Sequence, residues 1–288
     1  MKLRWPEDTR RLQLAGLIVL TVVTLVVVAA TALKYQAPAQ RAMPARTTSA
    51  SPTQTPTVEP PASPTPSPEA EPATQAPLSP LQQVGTSIAT PGSSVMVIGD
   101  GTGNEDDEWV AVWAREHLAA ERGVAYHLWD RYGVRWLEPV TMGAQPATID
   151  VWNASTISPD MPGEAARVQA AWQPVDAVFL SYGHWRDPTV VGSELTVILN
   201  EIRGHDPNVP VVVILQNPGP SSVAGLQEAA VNAVADWARQ NNLPTLDVYS
   251  GFPTDQAARD ALVEEDGSPN LEGSRLFARI VADALRPA

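Results

Sequence analysis

The stretch Ser94-Val-Met-Val-Ile-Gly-Asp-Gly-Thr-Gly103 decides the fold, because a short apolar run ends there in a glycine-rich turn. An apolar run bounded by turn residues is typical of a buried strand. The segment 108–122 follows, with Val110, Ala114 and Leu118 at the spacing of one helical face. A buried strand followed by an amphipathic helix is the repeating unit of an α/β fold.

The same alternation continues to the C-terminus. Further strands are predicted at 124–129, 148–152, 177–182, 209–215 and 245–248, and helices at 163–172, 190–203, 223–241 and 271–285. A hairpin is expected through Arg131-Tyr-Gly133. Apolar strands that alternate with helices predict a parallel sheet covered on both faces, within one domain at 93–288.

The N-terminal part has a different character. Residues 14–33 form an uncharged run of 20 residues, long enough to cross a bilayer core. Basic residues precede it, which favours a cytoplasmic N-terminus. We therefore predict a cytoplasmic segment at 1–11 and a transmembrane helix at 12–33, with the rest of the chain outside the cytoplasm. The alternative is a cleaved signal peptide and a secreted protein, since Ala30-Thr-Ala32 fits a cleavage site.

Residues 34–92 consist mainly of Pro, Ser, Thr, Ala and Gln. A segment of this composition buries too little apolar surface to fold, and proline biases it toward extended structure. We predict a disordered linker over this range that holds the domain away from the membrane.

Composition excludes several classes of function. The chain has no cysteine, and its two lysines are Lys2 and Lys34, so the domain has no P-loop and no thiol site. From residue 93 onward, 12 Arg stand against 27 Asp and Glu, a net charge of −15 that disfavours nucleic acid. The four histidines include no His-x-x-x-His pair. We expect no metal and no cofactor.

Read together, the loops after the predicted strands resemble the blocks of the SGNH (GDSL) hydrolase family. Val95-Met-Val-Ile-Gly-Asp100 is similar to the first block, Gly183-His-Trp185 to the third, and Asp266-Gly-Ser-Pro-Asn270 to the last. Asn153-Ala-Ser155, followed by Pro162-Gly163, is similar to the second. The resemblance implies a flavodoxin-like, three-layer α/β/α fold and hydrolysis of ester or acetyl groups on lipids or carbohydrates.

The positions that the family uses for catalysis are changed in this chain. The resemblance places Gly101 where the nucleophilic serine belongs, Ser268 at the catalytic histidine and Trp185 at the oxyanion-binding asparagine. The block-two glycine corresponds to Gly163 or to Ser158. Loss of the nucleophile or base alone removes most of the acceleration of such an enzyme. The sequence therefore predicts a catalytically inactive relative.

Two residues offer a substitute chemistry. Thr102 lies one position beyond the lost serine, and His184 lies in the third block, so a Thr–His pair would make a rewired hydrolase. The ordinary interpretation is a turn hydroxyl and a hydrogen-bonded loop histidine. The predicted binding crevice consists of Asp100, Gly101, Thr102, Asn153, Gly183, His184 and Trp185.

Trp185 admits two interpretations. A buried indole would plug the former oxyanion site, whereas an exposed one would be a stacking platform for a sugar ring or an acyl chain. We expect the plug, because large side chains readily fill abandoned pockets.

The function expected from these residues is binding without turnover. The predicted ligand is a cell-wall glycan or an acylated molecule of the cell envelope. The alternatives are an active or rewired esterase or carbohydrate deacetylase, and a scaffold for partner proteins. No pattern in the sequence predicts an oligomeric state.

Overall fold

The computed structural model of the protein describes residues 78–157 and 161–286. These belong to the second of the chain's two units, Glu71–Ala288. The predicted cytoplasmic segment, the transmembrane helix and most of the linker lie outside the described residues. Within the described part of the chain, every helix is too short or too polar to cross a bilayer.

The secondary structure alternates between strands and helices. The strands are β1 (Ser93–Gly99), β2 (Gly123–Asp130), β3 (Arg135–Trp136), β4 (Val140–Met142), β5 (Ala147–Asn153), β6 (Ala177–Ser181), β7 (Val211–Leu215) and β8 (Thr245–Asp247). The helices are α1 (Pro80–Ala89), α2 (Trp109–Val112), α3 (Ala119–Glu121), α4 (Met161–Ala171), α5 (Val191–His205), α6 (Ala224–Gln240), α7 (Gln256–Asp260) and α8 (Leu271–Ala284). A π-helical segment, Trp113–Leu118, joins α2 to α3, and a 3₁₀ turn, Tyr249–Gly251, follows β8.

The strands form one sheet in the order β3-β2-β5-β1-β6-β7-β8, with β4 also paired to β2. The five pairings from β2 to β8 along this order are parallel, and those of β3 and β4 with β2 are antiparallel. The predicted parallel sheet is confirmed. So is the hairpin, in which Trp129 lies opposite Trp136.

Apolar side chains on both faces of the sheet hold the helices in place. Val95 and Val97 of β1 belong to the cluster formed with α1, α2 and α8, while Met96 and Ile98 belong to the cluster with α5 and α6. Alternation along a strand sends successive side chains to opposite faces. The result is the predicted α/β/α arrangement, with the central strands buried on both sides.

Helix α1 corrects the predicted boundary of the linker. It lies inside the range 34–92, yet Val84 and Ile88 are buried in the core cluster. Ser79 accepts a hydrogen bond from the backbone of Gln82, whose side chain bonds back to Ser79, and Pro80 occupies the first helical position. This capping box and the proline start a helix in a proline-rich stretch. The folded part therefore includes residues 80–89.

Candidate functional site

The crevice at the carboxyl edge of the sheet follows from its topology. Strands β1 and β6 are neighbours, but the strand that follows each along the chain lies on the opposite side. The loops after them therefore diverge, which is where ligands bind in open α/β sheets. A crevice of about 660 Å³ opens there. Its lining residues are Asp100, Gly101, Asn104, Glu105, Asp107, Glu108, Ile157, His184, Trp185, Arg186, Glu264, Asp266, Ser268, Pro269, Asn270 and Leu271.

Asp100 connects the loops after β1, β6 and β7. Its Oδ1 accepts hydrogen bonds from the backbone N–H of Thr102 at 3.2 Å, the Thr102 hydroxyl at 2.9 Å and Gln216 Nε2 at 2.9 Å. Its Oδ2 accepts a bond from the backbone N–H of His184 at 3.2 Å. Because the carboxylate is buried and accepts four bonds, Asp100 organises the crevice floor rather than offering free oxygens to a ligand.

Gly101 lines the crevice without a side chain. A Cβ atom built on it would lie 3.3 Å from the Cα of Ile157 and 3.4 Å from the Oδ1 of Asn104. The first distance is slightly tighter than ordinary van der Waals contact, so a serine would require Ile157 to shift by a few tenths of an ångström. Ile157, in the loop after β5, thus lies close to the position that the resemblance assigns to the nucleophile.

The loop before α8 forms the opposite wall. The backbone N–H of Ser268 donates to Asp266 Oδ1 at 2.9 Å, and Asn217 Nδ2 donates to the Gly267 carbonyl at 3.0 Å. Ser268, the counterpart of the catalytic histidine, lines the crevice together with Gly101 and Trp185. The structure therefore brings the three replaced family positions to one site.

Trp185 stands at the crevice as a half-exposed side chain. Its exposed fraction is 48 %, so the expectation that the indole plugs the former oxyanion site is wrong. Its indole N–H donates to the backbone carbonyl of Asp266 across the crevice. Its backbone adopts φ of 55°, a left-handed conformation that is uncommon outside glycine. The left-handed turn and the Asp266 bond together fix the position of this half-exposed ring.

His184 lacks hydrogen-bond partners for its ring. Both imidazole nitrogens are buried and make no hydrogen bond within the described part of the chain. The ring lies edge-to-face with Trp185, at a centroid distance of 5.6 Å. Buried polar atoms are normally paired with protein or water, so an unpaired imidazole beside a crevice indicates a missing partner.

Carboxylates dominate the charge of the crevice. Its lining contains Asp100, Glu105, Asp107, Glu108, Glu264 and Asp266. The guanidinium of Arg186 also lines it, with Nη1 3.9 Å from a carboxylate oxygen of Glu194, which lies outside the lining. The crevice is thus an acidic site within an acidic domain.

Glu108 is the carboxylate most affected by this environment. Burial, followed by the charges of Glu105 and Asp100, raises the pKa of its carboxyl group to about 8. The backbone N–H of Glu105 donates to Glu108 Oε2 at 2.7 Å, which opposes this rise only in part. Glu108 is therefore largely protonated at neutral pH.

Three residues that were predicted to line the crevice are absent from its lining. The Thr102 hydroxyl is fully buried, donating to Asp100 and accepting from Gln216 Nε2 at 3.0 Å, so it has no access to a substrate. Asn153 is fully buried and donates to the Gly103 carbonyl and to the Tyr126 hydroxyl. Gly183 is buried and is also absent from the lining.

Gly163, the candidate block-two glycine, is separated from the other family positions. It lines a different cavity, of about 300 Å³, beside Trp129, Arg131 and Arg167. The other candidate, Ser158, lies outside the described residues.

Sequence reasoning missed several residues of the site. Glu108 precedes α2 at the end of an acidic run, a pattern typical of a solvated helix start, yet it is buried. Ile157 and Asn104 reach Gly101 through loop conformations that no periodicity predicts. No group of three or more His, Asp or Glu side chains among the described residues is arranged to hold a metal ion.

Among known proteins, similarity to this chain is found in solved structures and not in sequence. No family model and no curated protein matches the sequence. A peptidoglycan O-acetylesterase superimposes with a TM-score of 0.51 at 12 % identity, over 72 % of this chain and 95 % of the other. A lipase/acylhydrolase from Enterococcus faecalis gives a TM-score of 0.46 at 16 % identity, over 68 % and 98 %.

A lipolytic protein of the G-D-S-L family from Veillonella parvula is also similar, with a TM-score of 0.46 at 15 % identity over 66 % of this chain and 97 % of the other. At such low identity these likenesses concern the fold alone. In fold, the described part of the chain is similar to the peptidoglycan O-acetylesterase.

Proposed function

We propose that this domain binds a glycan of the cell envelope and does not hydrolyse it. The observation that carries the proposal is that residue 101 is a glycine and has no nucleophilic hydroxyl. A Cβ atom built on it would lie in contact with Ile157. A hydrolase of this type needs an activated nucleophile, a base and oxyanion donors together. Gly101, Ser268 and Trp185 supply none of these in the family's manner.

The rewired hydrolase receives less support. Its nucleophile would be Thr102, whose buried hydroxyl is already engaged with Asp100 and Gln216. Its base would be His184, and no described hydroxyl is hydrogen-bonded to that imidazole. A nucleophile and its base must lie within hydrogen-bond reach of one another.

The character of the crevice supports binding. An upright, half-exposed indole offers an apolar face to a sugar ring, and the surrounding polar side chains offer partners to hydroxyl groups. A volume of about 660 Å³ is within the range of small-molecule sites. The peptidoglycan O-acetylesterase of similar fold makes a cell-wall glycan a reasonable first ligand to test.

Two measurements on the full-length chain test this function. We expect no turnover of p-nitrophenyl acetate above buffer and no labelling by a fluorophosphonate probe. We also expect the protein to sediment with isolated peptidoglycan, and Trp185→Ala to weaken that binding while Tyr132→Ala does not. Tyr132 is a suitable control because its side chain is exposed and lies outside the crevice. Turnover or labelling of Thr102 would overturn the proposal.

We also propose that the domain lies outside the cytoplasm, held by the apolar run at 14–33. Protease added to intact cells should release the domain by cutting the linker, while the N-terminus stays with the membrane. A mature N-terminus near residue 33 would instead indicate a cleaved signal peptide.

A further inference from the structure

The upright Trp185 and the unpaired His184 mark one wall of the crevice as a place for a ligand. The indole nitrogen is already bonded to Asp266, so what remains available is the face of the ring rather than its N–H. Next to it, the imidazole of His184 has two buried nitrogens without partners in the described chain. An apolar face beside unpaired polar atoms suits a ring that carries hydroxyl groups.

The charged side chains of the crevice decide the charge of that ligand. Glu105, Asp107 and Glu264 are exposed side chains that line the crevice. The described chain contains no lysine, and the crevice's one arginine, Arg186, has the carboxylate of Glu194 3.9 Å away. An anionic ligand would meet repulsion here, whereas a cation would be attracted to the carboxylates that line the crevice. Cations are also attracted to the face of an indole.

We propose that the crevice recognises a sugar bearing a protonated primary amine, such as an unacetylated 2-amino sugar, stacked on Trp185 with its ammonium group among the carboxylates. This inference rests on the proposed function and narrows its ligand. N-acetylation removes the positive charge and adds bulk, so it removes the attraction between the sugar and the carboxylates of the crevice.

Glu108 supplies an independent signature of this binding mode. Burial is the main reason that its pKa stands at about 8, and the neighbouring negative charges add to it. An ammonium group among those carboxylates favours the ionised form and lowers that pKa. Binding near pH 7.5 therefore ionises Glu108, and the proton it gives up passes either to an unprotonated amine of the sugar or to the solvent. A neutral sugar has no such effect.

The test is calorimetric titration of the full-length chain with three probes: a glucosamine tetramer, an N-acetylglucosamine tetramer and spermidine. We expect the glucosamine tetramer to bind at least about tenfold more tightly than the N-acetylated one, and its binding to weaken as salt is raised. Trp185→Ala and Glu264→Gln should each weaken it several-fold. Tyr132→Ala and Glu138→Gln, two exposed positions outside the crevice, should not.

The heats should also differ between phosphate and Tris buffers at the same pH. This difference reports the net number of protons exchanged on binding, and it should change in Glu108→Gln. Equal or tighter binding of the N-acetylated tetramer overturns this inference and leaves glycan binding intact. The inference is also overturned if spermidine binds as tightly as the glucosamine tetramer and Trp185→Ala does not weaken spermidine binding. The site would then recognise positive charge alone. If the chain binds neither of the two tetramers nor peptidoglycan, the proposed function itself is overturned.

Discussion

The imidazole of His184 rests against the backbone of Gly267, so closely that a Cβ on Gly267 would lie 2.9 Å from its Cε1. Gly267 has φ of 81°, in the left-handed region that favours glycine. The loop after β6 and the loop before α8 are thereby fitted to each other. The chain's histidine at this site belongs to the first of these loops, whereas the resemblance assigns the catalytic histidine to the second, at Ser268.

Replacing Gly267 by alanine should disturb this fit. The substitution adds backbone strain and a clash with His184, and we expect a loss of about 1–3 kcal/mol in the free energy of unfolding. Urea denaturation measures it. The matched control is Gly204→Ala in α5, where a Cβ meets nothing within 4 Å. Alanine there should stabilise the helix by about 0.5–1 kcal/mol. Similar effects of both substitutions would contradict the contact.

Restoring the nucleophile alone should not restore activity. Gly101→Ser places a hydroxyl under Ile157, and the structure provides no imidazole hydrogen-bonded to it. We expect no hydrolysis of p-nitrophenyl acetate above the parent chain, together with a small loss of thermal stability that Ile157→Ala relieves. The minimal repair adds Ser268→His and Trp185→Asn. Turnover by Gly101→Ser alone would show that a base already serves this position.

The strands and most helices could be predicted because their signals are local. The run Val211–Leu215 is apolar throughout and buried, and the pattern of 108–122 gives a helix whose middle is the π-helical Trp113–Leu118. Helix α1 was missed although Ser79 and Gln82 carry a capping box, because the proline-rich composition around it dominated the interpretation.

The crevice could be predicted only in part. The order of the blocks brings Gly101, His184 and Ser268 together, as the parallel topology requires. The orientation of Trp185 depends on a left-handed backbone and on Asp266, 81 positions away in sequence. The burial of Glu108 depends likewise on how the loops fold around it. Such contacts between distant loops leave no periodic signal in the sequence.

A buried ion pair stabilises the start of the loop after β5. Arg167 bonds to Glu164 with Nε at 2.9 Å from Oε1, to the Tyr182 hydroxyl at 2.7 Å, and to the carbonyl of Ala154. The Tyr182 hydroxyl also donates to Glu164, and burial raises the pKa of Tyr182 well above its usual range. These contacts link α4 to β6 and to the chain that leads to Ile157.

Removing the arginine should therefore be costly. Arg167→Met leaves the Glu164 carboxylate buried without its cation, and we expect a loss of about 3–5 kcal/mol in the free energy of unfolding. Arg239→Met removes a surface pair with Asp236, and should cost at most about 1 kcal/mol. Adding Glu164→Gln to Arg167→Met should recover part of the loss. Equal costs for the two single variants, measured by urea denaturation, would refute the role of the buried pair.

Glu108 should make the stability of the domain depend on pH in the opposite direction to an ordinary surface carboxylate. Its folded pKa of about 8 lies above the ordinary 4.5, so the folded state holds its proton more tightly than the unfolded state does. The contribution of Glu108 to the free energy of unfolding is therefore fully present below about pH 4.5 and is lost as the pH rises toward 8. One pKa unit corresponds to about 1.4 kcal/mol, so the loss is on the order of 5 kcal/mol across that window.

Glu108→Gln removes this titration while its amide oxygen still accepts the Glu105 N–H. We expect the variant to match the parent chain near pH 4.5 and to become progressively more stable than it up to about pH 8, with a constant difference above. Urea denaturation at a series of pH values measures this difference. Glu138→Gln, at an exposed position outside the crevice, should follow the parent curve throughout. If Glu108→Gln also ran parallel to the parent, the carboxyl group would be ionised in the folded protein without penalty, and its burial against Glu105 and Asp100 would not set its proton affinity.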